Sequence, residues 1–198
     1  MDGLILAGGK SSRMRGSHKG FLTYEDNSFM NRLIGEMGKM TDQIWISYGT
    51  KIHAEYDGCR IVTDEYTGCG PIGGIHAGLK ACESDALMVA ACDMPFLKAE
   101  LFAYLNEKIK DYDGVVPVAS GKRHPLAAIY KKTILSVLEE QIKKGNYRLQ
   151  DALKEMDIAF VDVSGQKEFE RMLQNVNTIE EYRKLSGRKG TKRWMDCC

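Results

Sequence analysis

Apolar positions along this 198-residue chain follow two alternating periods. Leu4–Leu6, Ile44–Ser47, Arg60–Thr63 and Ala159–Val163 are apolar runs of strand length. Ala86–Ala91 is almost continuously apolar, as a strand covered on both faces requires. Between the runs the period changes. Phe29, Leu33, Met37 and Met40 repeat at helical spacing and predict an amphipathic helix over Phe29–Met40. Ile75–Cys82 reads as a helix after the turn Gly68–Gly74, and Leu101–Ile109, Thr133–Lys143 and Leu149–Lys154 as three more. Gly114–Val118 and Ala127–Tyr130 read as strands flanking the Ser120–Pro125 loop, a pair able to run antiparallel. Thr178 and Glu181 form a capping box that opens a last helix, Thr178–Leu185. Strands alternating with helices predict an α/β fold of three layers, α/β/α, on a mostly parallel sheet.

Neither an internal repeat nor a linker interrupts the pattern, so residues 1–185 read as one domain. Residues 186–198 form a basic tail around Arg188, Lys189, Lys192 and Arg193. Such a tail reads as a flexible, solvated end, or as a contact for an acidic partner or an anionic ligand. A composition of 43% hydrophobic and 28% charged residues is that of an ordinary globular protein. The net charge of +1 argues against a nucleic-acid partner, which calls for a strongly basic face. No apolar run approaches membrane-spanning length, and the first residues lack a signal peptide's basic and apolar regions, so a cytoplasmic location and no membrane contact are expected. None of the six cysteines stands in a C-x-x-C pair, which argues against a zinc site and for reduced, partly buried thiols. Cys197 and Cys198 read as part of the tail.

The candidate chemistry starts where the first strand ends. Leu6-Ala7-Gly8-Gly9 runs into Lys10-Ser11-Ser12-Arg13-Met14-Arg15-Gly16-Ser17-His18-Lys19. Glycines at a strand end let backbone N–H groups approach an anion, and Arg13 and Lys19 add fixed positive charge for a phosphoryl group. The spacing is neither that of a P-loop nor that of a dinucleotide-binding turn. A second strand end, Cys92-Asp93-Met94-Pro95, bears a carboxylate and follows the buried run Ala86–Ala91. Ligands of open α/β sheets bind at that edge, and a carboxylate there suits Mg²⁺ or caps the next helix. Asp64 closes the Arg60–Thr63 strand and reads as either a site residue or a turn residue.

The loop resembles the L-A-G-G-x-S-x-R-M-G-x-x-K signature of the molybdenum cofactor guanylyltransferases, with Arg15 in place of the usual glycine and His18 where aspartate is common. Gly70-Pro71-Ile72-Gly73-Gly74-Ile75-His76-Ala77-Gly78-Leu79 resembles the family's G-P-L-A-G-[IL]-x-A-G-L run, with His76 on a variable, surface-facing helix position. Cys92-Asp93-Met94-Pro95, Arg123-His124-Pro125-Leu126 and Asn175-Val176-Asn177-Thr178 resemble three further family segments, in the same order. Ser47 stands where the family often has an asparagine near the nucleotide.

The resemblance implies a Rossmann-like GT-A nucleotidyltransferase fold over residues 1–185. It implies transfer of GMP from GTP to the terminal phosphate of molybdopterin, with release of pyrophosphate. Arg13, Lys19 and Asp93 would be catalytic, with Mg²⁺ on Asp93. Leu6, Ala7, Gly8, Gly9, Lys19, Asp64 and Asp93 would hold the nucleotide. His124, Asn175 and Asn177 would face the acceptor, although Asn177 and Thr178 also suffice as a helix cap. Related cytidylyltransferases read L-A-A-G at the loop, and Gly9 is expected to favour guanine. GTP, molybdopterin, other cofactor-biosynthesis proteins and molybdoenzyme chaperones are the implied partners. A nucleotidyltransferase for CTP or another phosphorylated acceptor, and a non-catalytic molybdenum cofactor carrier, are the alternatives.

Overall fold

The computed structural model describes residues 1–8, 22–49 and 54–186. Gly9, Arg13, Lys19, Cys197 and Cys198 lie outside them, as does the tail beyond Ser186. The strands are β1 (Asp2–Leu6), β2 (Thr23–Tyr24), β3 (Asn27–Ser28), β4 (Ile44–Ser47), β5 (Cys59–Val62), β6 (Ala86–Ala91), β7 (Gly114–Ala119), β8 (Lys122–Arg123), β9 (Ala127–Lys131) and β10 (Ile158–Asp162). The α-helices are α1 (Phe29–Met37), α2 (Pro71–Ala81), α3 (Ala99–Ile109), α4 (Leu135–Lys143), α5 (Leu149–Ala152), α6 (Lys167–Met172) and α7 (Ile179–Ser186).

Seven strands lie in the order β10-β7-β9-β6-β1-β4-β5, with β8 added to β7. β1 pairs in parallel with both β4 and β6, and β4 with β5. β9 runs antiparallel between β6 and β7, as the flanking-strand reading of the Ser120–Pro125 loop allowed. β10 returns parallel to β7. The C-terminal ends of β1, β4, β5, β6, β7 and β10 therefore share one edge.

Alternation along the strands divides the core into two layers. Ile5, Ile46, Met88 and Ala90 meet Met30, Leu33 and Met37 of α1 and Leu101, Phe102 and Leu105 of α3 on one face. Leu4, Leu6, Leu87 and Val89 meet Ile72, Ile75 and Leu79 of α2 and Leu138 and Ile142 of α4 on the other. The three-layer α/β/α arrangement is thus the observed one.

Two helix boundaries depart from expectation. α1 stops at Met37, short of Met40, with Gly38 as its C-cap. α2 starts at Pro71 rather than Ile75: Gly70, at φ +69°, turns the chain, and proline occupies the first helical turn, where its missing N–H costs nothing. Gly73 and Gly74 therefore belong to the helix, not to the preceding turn. The hairpin β2–β3 and the short α6 carry too few periodic positions to be read from sequence. The Thr178–Glu181 capping box is present: the Glu181 N–H donates to Thr178 Oγ1 at 3.1 Å and the Thr178 N–H to Glu181 Oε2 at 3.1 Å.

Candidate active site

Small residues on α2 bring it low onto the sheet. A Cβ on Gly78 would stand 2.7 Å from Leu4 Cδ2, and one on Gly74 would stand 2.6 Å from Leu6 Cδ2 and 2.9 Å from Ser47 Oγ. A larger side chain at either position forces these leucine and serine side chains, or the helix itself, to shift. The start of α2 thereby reaches the C-terminal edge, and no side chain caps it. The opening N–H groups of a helix lack intrahelical partners and bear the positive end of its dipole, which favours an anionic ligand.

The same edge gathers the ends of β1, β4 and β5. The Ala7 N–H donates to Ser47 O at 2.8 Å and the Gly8 N–H to the same oxygen at 3.1 Å. A Cβ on Gly8 would fall 2.9 Å from the Tyr48 carbonyl. Aligned on L-A-A-G, the alanine of the cytidylyltransferases falls at residue 8. The position to compare is therefore residue 8 rather than residue 9, and the approach of the Tyr48 backbone leaves no room there for a side chain. Ser47 Oγ donates to Asp64 Oδ1 at 2.7 Å. The backbone of Gly73 lies beside the other oxygen, with a Cβ there only 3.5 Å from Asp64 Oδ2. Asp64 is buried, at 7% exposure. Burial raises its pKa above the usual carboxylate value, against the Ser47 hydrogen bond and the nearby His76, which pull it down. Ser47 is thus a hydrogen-bond partner of Asp64, a contact its position alone did not reveal.

Asp93 follows β6, half-buried, with its turn tied to β1 by the Cys92 N–H donating to Leu6 O at 3.0 Å. Asn175 Nδ2 donates to Asp93 Oδ1 at 3.2 Å, and the Val176 N–H donates to Asp93 O at 2.8 Å. Asn175 is therefore brought against the strand-end carboxylate. Asn177 lies one residue beyond Val176, and its N–H donates to Glu181 Oε2 at 2.6 Å as part of the α7 cap.

His124 sits in a turn braced from three sides. Its N–H donates to Pro117 O at 2.9 Å, the Ala91 N–H to Leu126 O at 2.9 Å, and the fully buried Tyr130 hydroxyl to Pro125 O at 2.8 Å. Burial and the neighbouring Lys122 push the His124 pKa below the usual histidine value, which keeps the ring neutral at pH 7 and able both to donate and to accept.

His76 is not on the surface, as its variable position suggested. It is fully buried because α4 covers that side of α2. Its Nε2 lies 3.2 Å from Glu139 Oε1, its ring meets Tyr66 edge-on at 5.1 Å, and its Nδ1 has no hydrogen-bond partner among the described residues.

Residues 3–160 match the family model of the MobA-like NTP transferase domain. The chain belongs to this family. A "Probable molybdenum cofactor guanylyltransferase" from Clostridium perfringens (strain SM101 / Type A) is 35% identical over 191 residues, spanning 93% of this chain and 96% of the relative. One of the same name from Carboxydothermus hydrogenoformans is 31% identical, spanning 91% and 92%. Among solved structures, molybdopterin-guanine dinucleotide biosynthesis protein A from Archaeoglobus fulgidus superposes with a TM-score of 0.79 at 24% identity, over 95% of this chain and 98% of that one. The 2-C-methyl-D-erythritol 4-phosphate cytidylyltransferase from Thermus thermophilus superposes at 0.67 with 12% identity, over 93% and 96%. These two likenesses establish the fold. The transferase has no helix, among its described residues, long and apolar enough to cross a membrane. Its described residues also contain no group of three or more histidine, cysteine or acidic side chains placed to hold a metal ion. A cavity of about 600 Å³ lies against the turn after Asp93, lined by Tyr24, Arg32, Pro95, Phe96 and Arg171 among others, but by neither Asp64 nor Asp93.

Proposed function

We propose that this nucleotidyltransferase moves GMP from GTP to the terminal phosphate of molybdopterin. An acceptor phosphate oxygen forms a bond to the α-phosphorus, the bond from that phosphorus to the oxygen bridging to the β-phosphate breaks, and pyrophosphate leaves with the electron pair. The nucleophile is already an anion at neutral pH, so the protein's task is positioning and charge stabilisation. The observation that carries the reading is the shared edge: an anion-favouring helix start and a buried Ser47–Asp64 pair adjoin the end of β1, and Asp93 with Asn175 follows on β6.

The residues divide the work. Leu6, Ala7, Gly8 and Gly9 offer backbone to the nucleotide, and Asp64 a carboxylate oriented by Ser47. Arg13 and Lys19 neutralise the triphosphate and the departing pyrophosphate. His124 and Asn177 meet the acceptor, while Asn175 holds Asp93. Asp93 is the carboxylate that would hold Mg²⁺. Its donor chemistry fits, because this ion takes one or two carboxylates and completes its shell with phosphate oxygens and water. Bound there, Mg²⁺ supplies positive charge to the phosphoryl oxygens. A cytoplasmic location, and hand-over of the product to cofactor-biosynthesis proteins or molybdoenzyme chaperones, complete the reading.

The test is transfer from α-labelled GTP or CTP to molybdopterin, with Mg²⁺ or with chelator. Labelled dinucleotide from GTP in Mg²⁺, lost with chelator and reduced at least about a thousandfold by Asp93→Ala, is the expected result. Transfer from CTP, or an active Asp93→Ala variant, overturns it.

A further inference from the structure

The β2–β3 hairpin follows, in sequence, the segment that carries Arg13 and Lys19. Arg32 bonds to both this hairpin and the turn that carries Asp93. Arg32, half-buried on α1, donates from Nε to Pro95 O at 3.3 Å and from Nη1 to Tyr24 O at 3.4 Å. Its guanidinium also lies 5.0 Å from the centroid of the Tyr24 ring and 3.6 Å from Glu25 Oε2. Tyr24 in turn meets Phe96 edge-on, with centroids 5.4 Å apart. Neither hydrogen bond is short, so the grip comes from the fork: two carbonyls, one from each segment, are held by two nitrogens of one rigid plane.

We infer that Arg32 is a positioning residue for nucleotidyl transfer, a clasp that sets the hairpin against the turn bearing Asp93. Pro95 lies two residues beyond Asp93, so the carbonyl that Arg32 holds and the carboxylate belong to one short turn. On the hairpin side the Phe29 N–H donates to Leu22 O at 2.8 Å, which closes the hairpin at its base, and Tyr182 Oη donates to Thr23 O at 2.9 Å, which ties it to α7. Arg32 touches neither Asp64 nor Ser47. Its loss misplaces the groups that meet the transition state and leaves the nucleoside side of the site intact. An interaction realised only in the transition state lowers kcat and leaves KM in place. Misplacement of about 1 Å costs up to roughly a hundredfold in rate.

The inference rests on the transfer reaction proposed above, and the experiment separates the two. Arg32→Ala and Arg32→Lys are compared with wild type in three measurements: GTP-dependent transfer to molybdopterin, thermal unfolding, and amide hydrogen exchange of the hairpin and of residues 93–98. The expected result is a kcat lower by about tenfold to a hundredfold, with KM for GTP within about threefold of wild type. Exchange is expected to rise in both segments together. Arg32→Lys keeps the charge but not the fork, so it is not expected to rescue, and it carries the test if Arg32→Ala fails to fold. Unchanged kcat per folded molecule, full rescue by lysine, or faster exchange in only one segment overturns the clasp. A wild type that turns over no GTP overturns the reaction instead, and joint exchange of the two segments then still decides whether Arg32 couples them.

Discussion

Asp2 and Asp64 are both buried carboxylates of the same sheet, at opposite ends of it. Asp2, at the start of β1, is 2% exposed and accepts from Trp45 Nε1 at 3.2 Å, from the Glu83 N–H at 2.9 Å and from Ser84 Oγ. Burial raises its pKa, but these three donors outweigh burial and hold the carboxyl below the usual value. Asp64, past the end of β5, is as thoroughly enclosed but has a single hydrogen-bond donor among the described residues, Ser47. There burial wins and the pKa rises. A carboxylate whose lone pairs are filled by the fold is finished structure. One left with unfilled acceptor capacity is poised to accept from a ligand. The difference separates the closed end of the sheet from the working edge.

The largest expected effect falls on the structural partner. Asp2→Ala strands the Trp45, Glu83 and Ser84 donors and should lower stability by on the order of 3 kcal/mol in urea unfolding, with nucleotide affinity of the folded protein unchanged. An affinity loss without a stability loss would erase the distinction between the two ends. Asp64→Asn should do the reverse: stability at neutral pH does not fall, while affinity for GTP drops about tenfold, roughly 1.4 kcal/mol.

The smallest effect is a pH signature of opposite sign. The folded pKa of Asp2 lies below its unfolded value near 3.8, so its contribution is complete above that value and is lost as the pH falls through the lowered folded pKa. The folded pKa of Asp64 lies above 3.8, so ionisation destabilises the fold above that folded pKa, and the penalty disappears at pH below 3.8. In urea unfolding against pH, the deficit of Asp2→Asn should shrink on acidification, and any advantage of Asp64→Asn should also shrink. A deficit in Asp64→Asn that grows with rising pH contradicts the assignment.

Much of this was legible in the chain because hydrophobic period and strand-end chemistry are local signals. The runs at Leu4–Leu6 and Ala86–Ala91 marked the central strands, and Cys92-Asp93-Met94-Pro95 marked the sheet edge at which open α/β folds bind ligands. Asp64 was visible as a strand-end carboxylate, but Ser47 as its holder was not, because that contact crosses from β4 to the chain beyond β5. The burial of His76 was equally hidden. Nothing in the local sequence says that α4 will close over α2, and Gly74, one of the two glycines that seat α2 on the sheet, reads more readily as part of a turn. Arg32 sits on an amphipathic helix in a place that looks merely polar. Its meaning appears only when the hairpin and the Asp93 turn are side by side.

The most direct measurement is calorimetric titration of GTP into wild type, Asp64→Asn and Asp2→Asn at neutral pH. Tight binding by wild type and by folded Asp2→Asn, with about tenfold weaker binding by Asp64→Asn, is the predicted result. Equal affinity in wild type and Asp64→Asn would contradict the assignment of the nucleotide to this edge of the sheet.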